Sequence, residues 1–151
     1  VGGLAVGGWT EPRATKDLPC WSRPSVAGVV VSPAQLADVA EGGPLRLHTS
    51  RPGEPSLVID FLCVGTPFER EALSRRRVLT LFGVQLFVAS PDDLLIYKLI
   101  AARPQDLADV DRLIRFGRCP EDESYVRRWA RDWDVEERLD HALAIARRDA
   151  P

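Results

Sequence analysis

The alternation of hydrophobic and polar positions predicts a β-hairpin in the middle of the chain. Residues 45–48 alternate, a turn rich in Pro and Gly follows, and residues 57–64 form the longest β-type run. Two such runs on either side of a turn are typical of a hairpin. Asp60 falls in the middle of the second run. Two further strands are predicted at residues 78–81 and 84–88.

Helical spacing of apolar residues dominates after position 90. Ser90 is a typical N-cap, Pro91 suits the first helical position, and the two acidic residues that follow complement the helix dipole. Pro104 interrupts this pattern, because proline breaks a helix interior. A shorter polar helix is predicted before the two further strands. The predicted helical stretches are 69–76, 91–101, 107–114, 121–133 and 135–148.

The first 44 residues give a less regular pattern. Asp17 and Leu18 should begin a strand, but Pro19 and Pro24 each remove a backbone donor, so this strand is an edge or is interrupted. The other predicted elements here are a short helix at 4–10, a strand at 29–31 and a helix over 33–41.

Length and composition predict one globular domain. The chain has 151 residues, of which 45% are hydrophobic and 28% charged, so it can bury an ordinary core. The pattern predicts an α+β fold: a mixed, mostly antiparallel sheet with helices on one side, as a core over 1–114, and a C-terminal helical pair within 115–151. The chain starts at Val1, one residue before a glycine pair, and contains no Met. We therefore expect the N-terminus to be truncated.

Charge and cysteine content narrow the class of protein. A formal net charge of −2 excludes a global basic field that would attract nucleic acid, although Arg75–Arg77 could do so locally. The three cysteines include no CxxC pair, which argues against a zinc site or a disulfide framework. No apolar run reaches the roughly 18 residues needed to span a bilayer. The expectation is a soluble cytoplasmic protein with no membrane partner.

Four segments, in order, carry candidate chemistry: Gly2-Gly3-Leu4-Ala5, Arg13–Leu18, Asp60 in its strand, and Ser90–Leu99 with Arg103–Asp109. Together they resemble the nucleotidyltransferase superfamily, specifically small bacterial proteins related to abortive-infection toxins. The resemblance covers most of residues 1–114.

The resemblance implies a site for Mg²⁺ and a nucleoside triphosphate. The Gly2-Gly3 turn would let the backbone approach the triphosphate, and three acids on neighbouring strands would hold the metal. The first acid corresponds to Asp17 and the third to Asp60. The arrangement is physically sound, because residues two apart share a strand face and hard oxygen ligands suit Mg²⁺.

The position of the second acid holds Pro19, which departs from the family pattern. Proline supplies no side-chain oxygen and disturbs the strand that should hold Asp17. Either catalysis is impaired or absent, or a nearby acid replaces the missing ligand, or the local sequence has been altered. The chain then has a residual metal-nucleotide site, or it is a catalytically inactive binding module, such as one half of a toxin–antitoxin or other bacterial two-protein system.

Other residues have both a site role and an ordinary one. The resemblance places Lys98 at the nucleotide phosphates, whereas a plain helix would extend its stem to solvent. Arg13 and Thr15 precede Asp17 and could orient a phosphate, although such residues are also common in exposed loops.

Asp106 and Asp109 lie three residues apart on one predicted helix face. They form either a polar network with Arg103 or a solvated face.

The predicted function is Mg²⁺-dependent binding of a nucleoside triphosphate, with nucleotidyl transfer to a nucleic acid or protein hydroxyl if the site is active. If the acceptor is tRNA, Arg75–Arg77 could contact it, although an arginine run is usually a solvated face. A third hypothesis is an interaction domain that docks through its tryptophan-bearing C-terminal helices. Trp129 and Trp133 lie four residues apart on one predicted helix face, as core or interface anchors.

Overall fold

The structure is a computed structural model that describes residues 45–49, 57–61, 64–81, 83–116 and 119–148. Within these ranges it has an α+β fold, as predicted. The predicted elements before residue 44 lie outside the described residues, as do Gly2, Gly3, Arg13, Thr15, Asp17 and Pro19. The elements are β1 (Leu45–Thr49), β2 (Leu57–Phe61), α1 (Pro67–Ser74), β3 (Arg77–Leu81), β4 (Val84–Val88), α2 (Pro91–Ala101), α3 (Pro104–Phe116), α4 (Glu123–Asp132) and α5 (Glu136–Arg148).

The four described strands form two antiparallel pairs. β1 pairs with β2, which confirms the predicted hairpin, and β3 pairs with β4, which confirms the two further predicted strands. Within the described residues these are two separate two-stranded sheets. Gly83 adopts a φ of 79° in the β3–β4 turn, a conformation that glycine takes without steric cost. Asp60 lies inside β2, where its register partner is Arg46.

Side-chain caps fix where the first two helices begin. Thr66 caps α1 in a capping box: its hydroxyl accepts from the Glu69 N–H at 3.1 Å, and the Glu69 carboxylate accepts from the Thr66 N–H at 2.8 Å. The Ser90 hydroxyl accepts from the Asp93 N–H at 3.2 Å and so begins α2 as predicted. Helix α2 ends at Ala101, and its C-cap residue Ala102 has left-handed backbone angles. A new helix, α3, starts at Pro104, so the predicted interruption of the helical pattern is confirmed; the break lies at residues 102–103, and Pro104 is the first residue of α3.

Helix α2 forms the centre of the hydrophobic core. Four of its apolar residues are completely buried, and α3 and α4 pack against it while α5 packs on α3 and α4. The closing helical pair predicted from the sequence is α4 with α5. The fully buried apolar residues of α2 are Leu94, Leu95, Ile96 and Leu99.

The two C-terminal tryptophans pack against α1. Trp129 is buried, and its ring centroid lies 5.2 Å from that of Phe68. Trp133 remains partly exposed and meets the same ring edge-on at 6.4 Å. These aromatic contacts attach α1 to the C-terminal helices, so the prediction of core anchors is confirmed for Trp129.

None of the helices in the described part of the chain is long and apolar enough to cross a membrane.

Candidate functional site

The most unusual feature of the described core is its buried charge. Five charged side chains on α2 and α3 are at least 95% buried, although such residues are almost never fully buried unless they are paired. They form two groups, one at the start of α2 and one where its second half faces α3. The five are Asp92, Asp93, Lys98, Asp106 and Asp109.

The second group of buried residues consists of Lys98, Asp106 and Asp109. Together with Arg103, which directly precedes α3, these residues form what we call the Lys98 cluster. The Lys98 Nζ lies 2.8 Å from Asp106 Oδ1 and 2.9 Å from Asp109 Oδ2. Arg103 Nε donates to the other oxygen of Asp106 at 2.6 Å. The two carboxylates can reach one ammonium because residues three apart lie on one helix face.

These contacts decide between the predicted alternatives. The polar network of Asp106 with Arg103 is confirmed, and the alternative of a solvated face is wrong, since Asp106 and Asp109 are 1% and 0% exposed. Lys98 does not extend to solvent; it is 5% exposed. α2 carries this lysine into the core because all the surrounding positions on the helix are apolar.

The electrostatics of the Lys98 cluster are balanced. Two cations face two carboxylates, so the cluster is formally neutral. Burial by itself raises the pKa of Asp106, but hydrogen bonds and charges from Arg103 and Lys98 outweigh burial and hold that pKa below its ordinary value. An ammonium has three donors, and two of those of Lys98 meet carboxylates.

The first group anchors the loop before α4 to the start of α2. Asp92 accepts hydrogen bonds from the backbone N–H groups of Glu121 at 2.8 Å and Asp122 at 3.1 Å. Its carboxylate also accepts from the Cys119 thiol at 3.4 Å. Burial, with the adjacent Asp92 charge, raises the pKa of that thiol. Asp92 is therefore a structural residue, since its oxygens are occupied by backbone and thiol donors.

Asp93 links the same helix start to α4. Its carboxylate accepts from the Ser90 hydroxyl and from the Tyr125 hydroxyl. Arg75 Nε lies 3.7 Å from this carboxylate, and the Arg75 guanidinium lies 3.8 Å from the centroid of the Tyr125 ring. The sequence predicts that Asp93 complements the dipole of α2. It does not predict the hydrogen bond to α4, because no sequence signal identifies Tyr125 as the partner of Asp93.

The arginine run is only partly a solvated face. Arg75 is engaged with Asp92 and Asp93 and stacks on a ring, so for this residue the predicted solvated role is wrong. Arg76 is exposed and lies 5.0 Å from the Phe87 ring centroid, and Arg77 pairs with Glu121 on the surface.

The structure describes only some of the residues that are predicted to bind the metal or the phosphates. Asp60 is an interior residue of β2, as predicted, and Lys98 lies in its cluster on α2. Gly2, Gly3, Arg13, Thr15 and Asp17 lie outside the described residues. Within the described ranges, no group of three or more His, Cys, Asp or Glu side chains is arranged to hold a metal ion. Of the predicted metal-binding acids, the described part of the chain contains Asp60.

An open groove lies between the end of α2 and helices α3 and α5. Its floor is apolar and includes Leu99 and Val110, and its rim carries Glu137 and His141. Arg138 also lines the groove and donates to the Leu99 carbonyl at 2.9 Å, which satisfies a carbonyl in the last turn of α2. His141 is a surface residue.

The described residues define an α+β protein whose helical core contains Lys98 paired with two buried carboxylates, while Arg103 approaches one of them from the surface. A scan against models of protein families finds no match, and no curated protein matches the chain. A function for the chain must therefore be argued from its own residues.

Proposed function

We propose that the chain is a nucleotidyltransferase-like domain that binds a nucleoside triphosphate together with Mg²⁺. The observation that carries the proposal is the Lys98 cluster. Two segments that resemble the superfamily, Ser90–Leu99 and Arg103–Asp109, converge there through ion pairs of 2.8 and 2.9 Å. A lysine held in place by two carboxylates is pre-organised to donate its remaining hydrogen to a phosphate oxygen.

The charge of this cluster supports a requirement for a metal. Because the two cations of the cluster are already balanced by Asp106 and Asp109, a triphosphate bound there would add uncompensated negative charge. A divalent cation would compensate it, and carboxylate oxygens are the ligands that Mg²⁺ prefers. In the proposal Asp17 and Asp60 hold the metal, and their oxygen donors fit its chemistry.

The other residues named from the resemblance would contact the triphosphate. Gly2 and Gly3 bring the backbone close to the triphosphate, while Arg13 and Thr15 orient it. A bound Mg²⁺ would polarise the α-phosphate and align the attacking hydroxyl. That hydroxyl, of a tRNA or a protein in the cytoplasm, would lose its proton to water and bond to the α-phosphate, while the bond to the β-phosphate breaks and pyrophosphate leaves.

The proposed architecture joins the two described hairpins into one larger sheet. In it β1, β2, β3 and β4 belong to a mixed, mostly antiparallel sheet that also carries Asp17, with the helices on one side. The presence of Asp60 on β2 supports this arrangement, because its strand would then neighbour the strand that begins at Asp17. The whole chain, 1–151, would form one domain.

A second candidate function is that of a catalytically inactive binding module. It is favoured by Pro19, which stands where the second metal-binding acid is expected. The neutral Lys98 cluster is compatible with this function too, because an ion cluster can stabilise a fold without binding a ligand. Such a module would act by binding an antitoxin-type protein partner.

Calorimetric titration with each of the four nucleoside triphosphates, with and without Mg²⁺, tests the proposal. We expect Mg²⁺-dependent binding by the natural chain and its loss in Asp60→Asn, which removes a metal-binding charge. Asp132→Asn, an exposed change at the end of α4, is the matched control and should bind normally. Circular dichroism confirms that each variant is folded.

Each outcome of the titration has a distinct meaning. Unchanged binding by Asp60→Asn would remove Asp60 from the site. No binding by the folded natural chain would favour the inactive module. Pro19→Asp then separates the two functions, since restoring the second acid should increase affinity for Mg²⁺ only where a nucleotide site is retained.

A further inference from the structure

We draw no further inference here: the strongest candidate, the open apolar groove between the end of α2 and helices α3 and α5, is an unpartnered surface, and nothing in the structure shows what covers it.

Discussion

Removing the charge of Lys98 tests whether its cluster stabilises the fold. Lys98→Met keeps an unbranched side chain of similar length but leaves two buried carboxylates without the ammonium that lies 2.8 and 2.9 Å from them. Removing one partner of a buried ion pair costs about 3–5 kcal/mol. Since a domain is stabilised by only about 5–15 kcal/mol, this change should consume a large part of the free energy of unfolding.

The two carboxylates differ in the contacts that remain to them after Lys98→Met. Asp106 keeps its hydrogen bond from Arg103, whereas Asp109 loses a close ion pair inside the core. Adding Asp109→Asn to Lys98→Met should therefore recover stability. We expect the double variant to be about 1–3 kcal/mol more stable than the sum of the two single changes.

Urea unfolding followed by the fluorescence of the four tryptophans measures these free energies. The matched control is Arg115→Met, which breaks the Arg115–Asp111 pair on the surface of α3, where both partners are more exposed. Such pairs contribute about 0–1 kcal/mol. A loss for Lys98→Met as small as that of the control, or additive effects of Lys98→Met and Asp109→Asn, would refute the reasoning.

Three further changes test the helix starts and the acid response. Ser90→Ala removes the α2 cap and should lower the unfolding free energy by about 1–2 kcal/mol; an equal loss for the exposed Ser74→Ala would contradict this. Asp92→Ala leaves two backbone N–H groups without their hydrogen-bond acceptor, and each unsatisfied group costs about 1–3 kcal/mol. This change should therefore lower the thermal midpoint far more than Asp132→Ala. The pKa of Asp106 is lowered on folding, so its stabilisation is present above its ordinary pKa of 3.8 and disappears as pH falls through the folded-state value. Asp106→Asn should flatten the acid dependence of unfolding measured at pH 2–7; an unchanged slope would contradict this.

The local structure around the site could be predicted from short-range signals. A Ser-Pro pair followed by acids specified the start of α2, and Pro104 separated it from α3, because caps and proline act within one turn of the chain. The first hairpin followed from alternation on either side of turn residues, which placed Asp60 inside β2. Asp106 and Asp109 were recognised as a pair by their spacing alone.

The partners of these residues could not be predicted. Asp92 and Asp93 contact the loop before α4 and Tyr125, which lie about 30 residues further along the chain. No periodicity relates positions so far apart. For the same reason the sequence described Arg75 as solvated, although in the folded chain it lies over the Tyr125 ring.

The sequence by itself determined the strands, the helix starts and the spacing of the charged residues, because these depend on interactions between near neighbours. Only the tertiary structure decided that Lys98 is buried between Asp106 and Asp109. An apolar helix carries its lysine into the core only when a second helix supplies compensating charge. That compensation exists once α2 and α3 have packed together, so the sequence alone could not show it.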